Sequence, residues 1–167
     1  PNWSNEELRQ RMQETADASI YEINDQEEYA GNLGYGMIDV HKAIGSLIFP
    51  SLLIETISSE EISGDMDGIL NPGETTSISV SIINEEGWQP ASSIESNLIC
   101  SDTQISVIND SSSFPNLNPG QIGTSLNEFS ITLSSEIEVG NKSCLLNVSG
   151  FGEDNLPYNT SISINFP

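Results

Sequence analysis

From residue 52 to the end of the chain, apolar and hydrogen-bonding residues alternate in seven segments: 52–57, 76–83, 93–100, 104–108, 128–133, 143–148 and 160–166. Ile78, Val80 and Ile82 share one side of such a segment, with Ser77, Ser79 and Ser81 on the other. Phe129, Ile131 and Leu133 repeat the arrangement, as do Ile162, Ile164 and Phe166. Successive side chains of a strand point to opposite faces, so a period of two predicts strands with one buried face and one wet face. Turns built from Gly, Pro, Asn and Asp separate them.

The first 48 residues follow another pattern. Ser4-Asn5-Glu6-Glu7 is a capping box, and Leu8, Met12 and Thr15-Ala16 follow at helical spacing, which predicts a helix to about Ala16. Residues 20–31 hold Glu22, Asp25, Glu27 and Glu28 with few apolar neighbours and read as a solvated surface loop. Gly34 and Gly36 permit a tight turn, after which Asp39 caps a second short helix running to about Ile48. Phe49-Pro50 leaves almost no linker before the first strand, so the two parts are expected to be held rigidly. The predicted fold is mainly β: a seven-stranded antiparallel immunoglobulin-like sandwich over 51–167, preceded by a two-helix segment over 1–48.

The stretch Asn32-Leu33-Gly34-Tyr35-Gly36-Met37-Ile38-Asp39-Val40-His41-Lys42-Ala43-Ile44 resembles the last segment of the subtilisin-like serine protease catalytic domain. Pro1-Asn2-Trp3-Ser4-Asn5-Glu6-Glu7-Leu8-Arg9, with Thr15-Ala16-Asp17 behind it, resembles the segment that precedes that ending, in the same order and spacing. The resemblance covers residues 1 to about 48. In that family the catalytic Asp, His and Ser lie upstream of the matched part, so none is carried onto this chain. The resemblance implies that the first helix packs on a protease body. Residues 51–167 resemble the bacterial cell-adhesion-type sandwich modules appended to secreted proteases, on the marks Asp67-Gly68-Ile69-Leu70-Asn71-Pro72-Gly73-Glu74 and Leu117-Asn118-Pro119-Gly120.

Charge narrows the partners. Four Lys and Arg face 25 Asp and Glu, a formal net charge of −21, and beyond Phe49 Lys142 is the sole base. Nucleic acids and anionic membranes are bound through Lys and Arg, so both are excluded as partners. Cations are favoured, and salt or divalent ions would relieve the self-repulsion, as suits a protein exposed to salty water outside a cell; the resemblance implies a bacterial protein that is secreted or held at the cell surface. An acidic surface that only confers solubility is the alternative. No stretch reaches the 18 or so apolar residues of a membrane span, and there is no secretory signal. Since the chain starts at Pro1 without Met, a fragment with its signal upstream is expected.

Alternation places Cys100 and Cys144 with the core-facing residues, at the same end of neighbouring strands. A disulfide there would close a loop of 44 residues, stabilising by about 4 kcal/mol in the chain-entropy model. Two buried thiols acting as small apolar side chains are the alternative. Gly64-Asp65-Met66-Asp67-Gly68 begins like a calcium-wrapping loop, and Asp65, Asp67, Asn71 and Glu74 are the candidate ligands. It is not an EF-hand: the glycine follows the second aspartate directly and the glutamate comes too soon. Asp102, Glu136 and Glu138 lie on loops at the same end and could add oxygens. The competing reading is two turns, Asp-Gly and Asn-Pro-Gly, chosen for backbone conformation.

His41, the only histidine, has no neighbouring nucleophile in sequence and reads as structural. Trp88, Phe114 and Phe151 fall on loops at the far end, where they could form an aromatic platform or pack on the preceding segment. Tyr21, Tyr29 and Tyr35 are explained by packing. Asn-x-Ser/Thr sites occur at Asn2, Asn109, Asn141, Asn147 and Asn159; several lie in strands and are not read as glycosylation. Two functions follow as expectations. The first is the inactive C-terminal part of a secreted subtilisin-like endopeptidase, whose partners are its upstream protease domain and a protein or cell-surface ligand. The second is a non-enzymatic extracellular adhesion or scaffold module.

Overall fold

The computed structural model describes residues 4–23, 31–45, 48–138 and 140–166. Asn2, Asp25, Glu27, Glu28, Tyr29 and positions 46–47 of the second expected helix lie outside them. The chain divides into two compact units, Pro1–Ile48 and Phe49–Pro167.

The first unit holds α1 (Asn5–Glu14), α2 (Ile20–Ile23) and α3 (Val40–Gly45). The capping box forms: the Glu7 N–H donates to Ser4 Oγ at 3.3 Å and the Ser4 N–H to Glu7 Oε2 at 2.8 Å. Beyond α1, Asp17 and Met37 exchange backbone hydrogen bonds of 2.8 and 2.9 Å. Gly36 makes this approach feasible, because a Cβ there would overlap the Asp17 carbonyl, and its φ of 125° disfavours other residues. The Tyr21 hydroxyl donates to the Gly34 carbonyl, closing the same turn. Asp39 Oδ1 accepts from the Lys42 N–H at 2.8 Å and caps α3.

α2 falls where a loop is expected. Its single turn starts after Asp17 Oδ1 accepts the Ser19 N–H at 2.9 Å, and four residues are too few to show a helical period. Among the described residues of this unit only Thr15 and Ala43 are buried.

The second unit is mainly β, with two antiparallel sheets packed over one core. Its strands are β1 (Leu52–Ser63), β2 (Thr75–Asn84), β3 (Ser92–Cys100), β4 (Ile105–Asn109), β5 (Ser111–Phe114), β6 (Ile122–Thr124), β7 (Phe129–Leu133), β8 (Lys142–Phe151) and β9 (Pro157–Phe166). One sheet runs β1-β2-β7-β4, with β6 also on β2; the other runs β5-β3-β8-β9. Ile78, Val80, Ile82, Phe129 and Ile131 of the first sheet meet Ile94, Leu98, Leu146, Val148 and Ile164 of the second. These inward positions are the ones the alternation marks.

Among the described residues nine strands thus stand where seven are expected, for identifiable reasons. After β4 pairs with β7, the chain crosses sheets at Asp110, whose carbonyl accepts the Leu98 N–H at 2.7 Å, and β5 pairs with β3. β6 precedes β7 along β2, and the gap is bridged where the Ser125 N–H donates to the Val80 carbonyl at 2.8 Å. β1 continues to Ser63 rather than stopping at Ile57. It borders its sheet, and Ser58-Ser59-Glu60 are exposed, so this polar stretch can pair with little desolvation.

Candidate cation-binding loop

β1 and β2 are joined by residues 64–74, and this connection folds around its own acids. Glu74 is 7% exposed. Its two carboxylate oxygens accept the N–H groups of Asp65, at 3.3 Å, and Asn71, at 2.7 Å. Asp65 Oδ1 accepts from Asp67 N–H at 3.1 Å, and Asp67 Oδ1 from Ile69 N–H at 2.7 Å. Glu61, carried in by the extension of β1, accepts from Met66 N–H at 2.7 Å and Gly68 N–H at 3.3 Å. Six consecutive or near-consecutive amides therefore point at four carboxylates. Gly64 lets Glu61 and Glu74 approach, since a Cβ there would overlap both side chains. Met66 takes a φ of 63°, set by the contacts of its amide and its neighbours'.

Oxygens of Glu61, Asp65 and Asp67 lie within 4.8 Å of one another. Three carboxylates this close repel, and a hard cation that prefers oxygen ligands would relieve them. Each has lone pairs left after its amide contacts. Asp65 and Asp67 are thus brought together as expected ligands, whereas Glu74 is occupied with the backbone and the Asn71 amide donates to the Ile69 carbonyl at 3.2 Å. Glu61 takes the third place. Sequence spacing gave no sign of it, because the acid belongs to the strand before the loop and the expected strand ended short of it.

Neither Glu136 nor Glu138 belongs to this cluster. Asp102 is committed to another partner: Lys142 Nζ donates to its Oδ2 at 3.1 Å and Gln104 N–H to its Oδ1 at 2.9 Å. These contacts, the Gln104 amide foremost and then Lys142, hold the Asp102 carboxyl below its usual value. Just beside this pair, Cys100 and Cys144 lie directly opposite each other on β3 and β8 and are joined in a disulfide, with Cα atoms 4.2 Å apart. Cys144 is buried and Cys100 partly so.

The other candidates separate. His41 is exposed on α3. Trp88 and Phe114 are buried while Phe151 is exposed, so the three do not form a shared platform.

No protein-family model matches this chain, and no curated protein matches it. Among solved structures, the chain is similar to the ApaA protein from Bordetella pertussis at 16% identity, covering 70% of this chain and 91% of that one, with a TM-score of 0.42. It is similar to AvmM, which catalyses macrocyclization in alchivemycin A biosynthesis, at 12% identity over 66% of this chain and 88% of that one, TM-score 0.35. A third, the periplasmic chaperone SfaE, gives 9% identity, 66% and 55% coverage, and a TM-score of 0.31. Scores this low carry no argument about activity.

Proposed function

We propose that this chain is the C-terminal portion of a secreted subtilisin-like serine endopeptidase, with Pro1–Ile48 completing the catalytic domain and the β unit serving as a calcium-responsive accessory module. The observation that carries the reading is the unfinished packing of the first unit. Leu8, Met12, Tyr35, Ile38, Val40 and Ile44 are all exposed. A concavity of about 460 Å³ opens between α1 and the Gly34–Gly36 turn, lined by Leu8, Met12, Ala16, Leu33, Tyr35 and Ile38. Apolar faces of this kind are uncommon on a free-standing segment, and a larger body would cover them. The motifs over residues 1–48 supply the identity of that body.

We read the β unit as immunoglobulin-like, which the strand orders β1-β2-β7-β4 and β5-β3-β8-β9 support. Glu61, Asp65 and Asp67 would hold the calcium, which supplies charge neutralisation to a loop otherwise tied by amides alone. In this reading the triad belongs to the upstream domain, and residues 1–167 hydrolyse no protein substrate. Reading the gene upstream of Pro1 tests it: Asp, His and Gly-Thr-Ser nucleophile segments are expected there. A linker or a further sandwich in that position would leave an adhesion module instead.

A further inference from the structure

Strands that border a sheet expose unpaired N–H and C=O groups and invite another strand unless something blocks them. Most borders here are blocked. β1 carries Glu55, Glu60 and Glu61 and breaks register twice. β4, β5 and β6 span five, four and three residues. β9 has no such feature. It pairs with β8 over ten consecutive positions without a register break, holds no charged residue, and has its one proline at the first position. Among the described residues β8 is its only ladder partner. Tyr158 at the start of β9 accepts from the Leu52 N–H of β1 at 3.4 Å, and farther along Ile162 packs on the core yet is only partly buried.

The segment Asn159-Thr160-Ser161-Ile162-Ser163-Ile164-Asn165 also reads nearly alike in both directions. A second copy laid antiparallel with Ile162 on the two-fold axis sets Asn159 opposite Asn165, Ser161 opposite Ser163, Thr160 opposite Ile164 and Ile162 opposite itself. Amide meets amide and hydroxyl meets hydroxyl on the outer face, and on the inward face Ile162 meets its own copy while the methyl of Thr160 meets Ile164. We infer that β9 is a self-association edge, through which two copies join their four-stranded sheets into one continuous sheet. The charge of −21 per copy opposes this union, and salt screens that repulsion. Dimerisation through β9 therefore strengthens with salt, whereas addition of a basic strand from another protein would weaken.

The test is sedimentation equilibrium of the full chain up to about 1 mM, in about 0.05 M and about 0.5 M NaCl. A dimer that tightens with salt is expected. Ser161→Glu/Ser163→Glu places like charges opposite each other only in the dimer, since both serines are exposed in the monomer. It should weaken association about tenfold, with the dilute protein still folded but melting slightly lower, because the donation of the Ser161 hydroxyl to Asn147 Oδ1 at 2.7 Å is lost and two negative charges are added. Mixing it with Ser161→Lys/Ser163→Lys should restore pairing as a heterodimer. A chain that stays monomeric at both salts overturns the inference. So does a glutamate variant that dimerises like the parent, which would move the contact to another surface such as the α1 face, and so does a mixture with no gain.

Discussion

Asn84 has no exposed surface and joins three chain segments: its Nδ2 donates to the carbonyls of Gln89 at 2.8 Å and Leu117 at 3.2 Å, and its Oδ1 accepts the Ser51 N–H at 3.0 Å. Asn84→Ala removes the acceptor of the Ser51 N–H and one donor each from the carbonyls of Gln89 and Leu117, the latter still accepting from the Ala91 N–H at 2.8 Å, and urea unfolding should show a loss of about 1–3 kcal/mol. In the acidic loop two glutamates are separable. Glu61→Gln should abolish a calcium-induced rise in melting temperature with little change in EDTA, because relief of its repulsion with Asp65 and Asp67 offsets the weaker acceptor for the Met66 and Gly68 amides, while Glu74→Gln should lower the melt in both conditions because Glu74 is buried and lies outside that cluster. If calcium saturates the parent at a hundredfold over its dissociation constant, the gain is about 2.7 kcal/mol; identical melts in calcium and EDTA would remove the site. Asp102 sets an acid limit. Its carboxyl is held below the ordinary value of 3.8 when folded, so its contribution is present above that pH and is lost as pH falls through the folded value. Melting measured from pH 6 downward should therefore decline less steeply below about pH 4 in Asp102→Asn than in the parent.

At the scale of elements, the β3–β8 pair is fastened twice at one end, by the disulfide and by Asp102 with Lys142. The bond closes a 44-residue separation that contains β4, β5, β6 and β7. Cys100→Ala/Cys144→Ala should cost about 4 kcal/mol in chemical denaturation, and a thiol assay of the denatured, unreduced parent should find no free thiol. α1 contrasts with these strands. It has a complete capping box but no buried residue, and caps contribute only about 1 kcal/mol. Its amides should accordingly exchange with deuterium far sooner than those of β2 and β7, whose Ile78, Val80, Phe129 and Ile131 are buried.

For the molecule as a whole, charge is the dominant variable. Every element of the second unit except β8 lacks a basic residue, so repulsion is spread across its surface rather than paired off. Monovalent salt should raise the melting temperature of the unfastened and fastened forms alike, and divalent ions should do more only if the Glu61, Asp65 and Asp67 cluster takes them up. A parent protein with residues 51–167 removed would show what the β unit adds; the proposed role predicts lower folding yield or reduced activity on protein substrates, and equality in both would leave attachment or localisation.

Local chemistry was legible in the sequence. The period of two marked Ile78, Val80 and Ile82 as core, the capping box started α1, and strand parity put Cys100 and Cys144 on the inward side, because each depends on neighbours within a few residues. The paired aspartates of the loop were visible for the same reason. What the tertiary structure decided involves segments distant along the chain: the crossing of sheets at Asp110, the extension of β1 along the sheet border, and the burial of polar Asn84 among carbonyls more than thirty residues away in the case of Leu117. Glu61 belongs to this second group. Composition near residue 61 says only that the stretch is polar, and pairing with Thr76 of β2 turns it into a strand that ends beside Asp65 and Asp67.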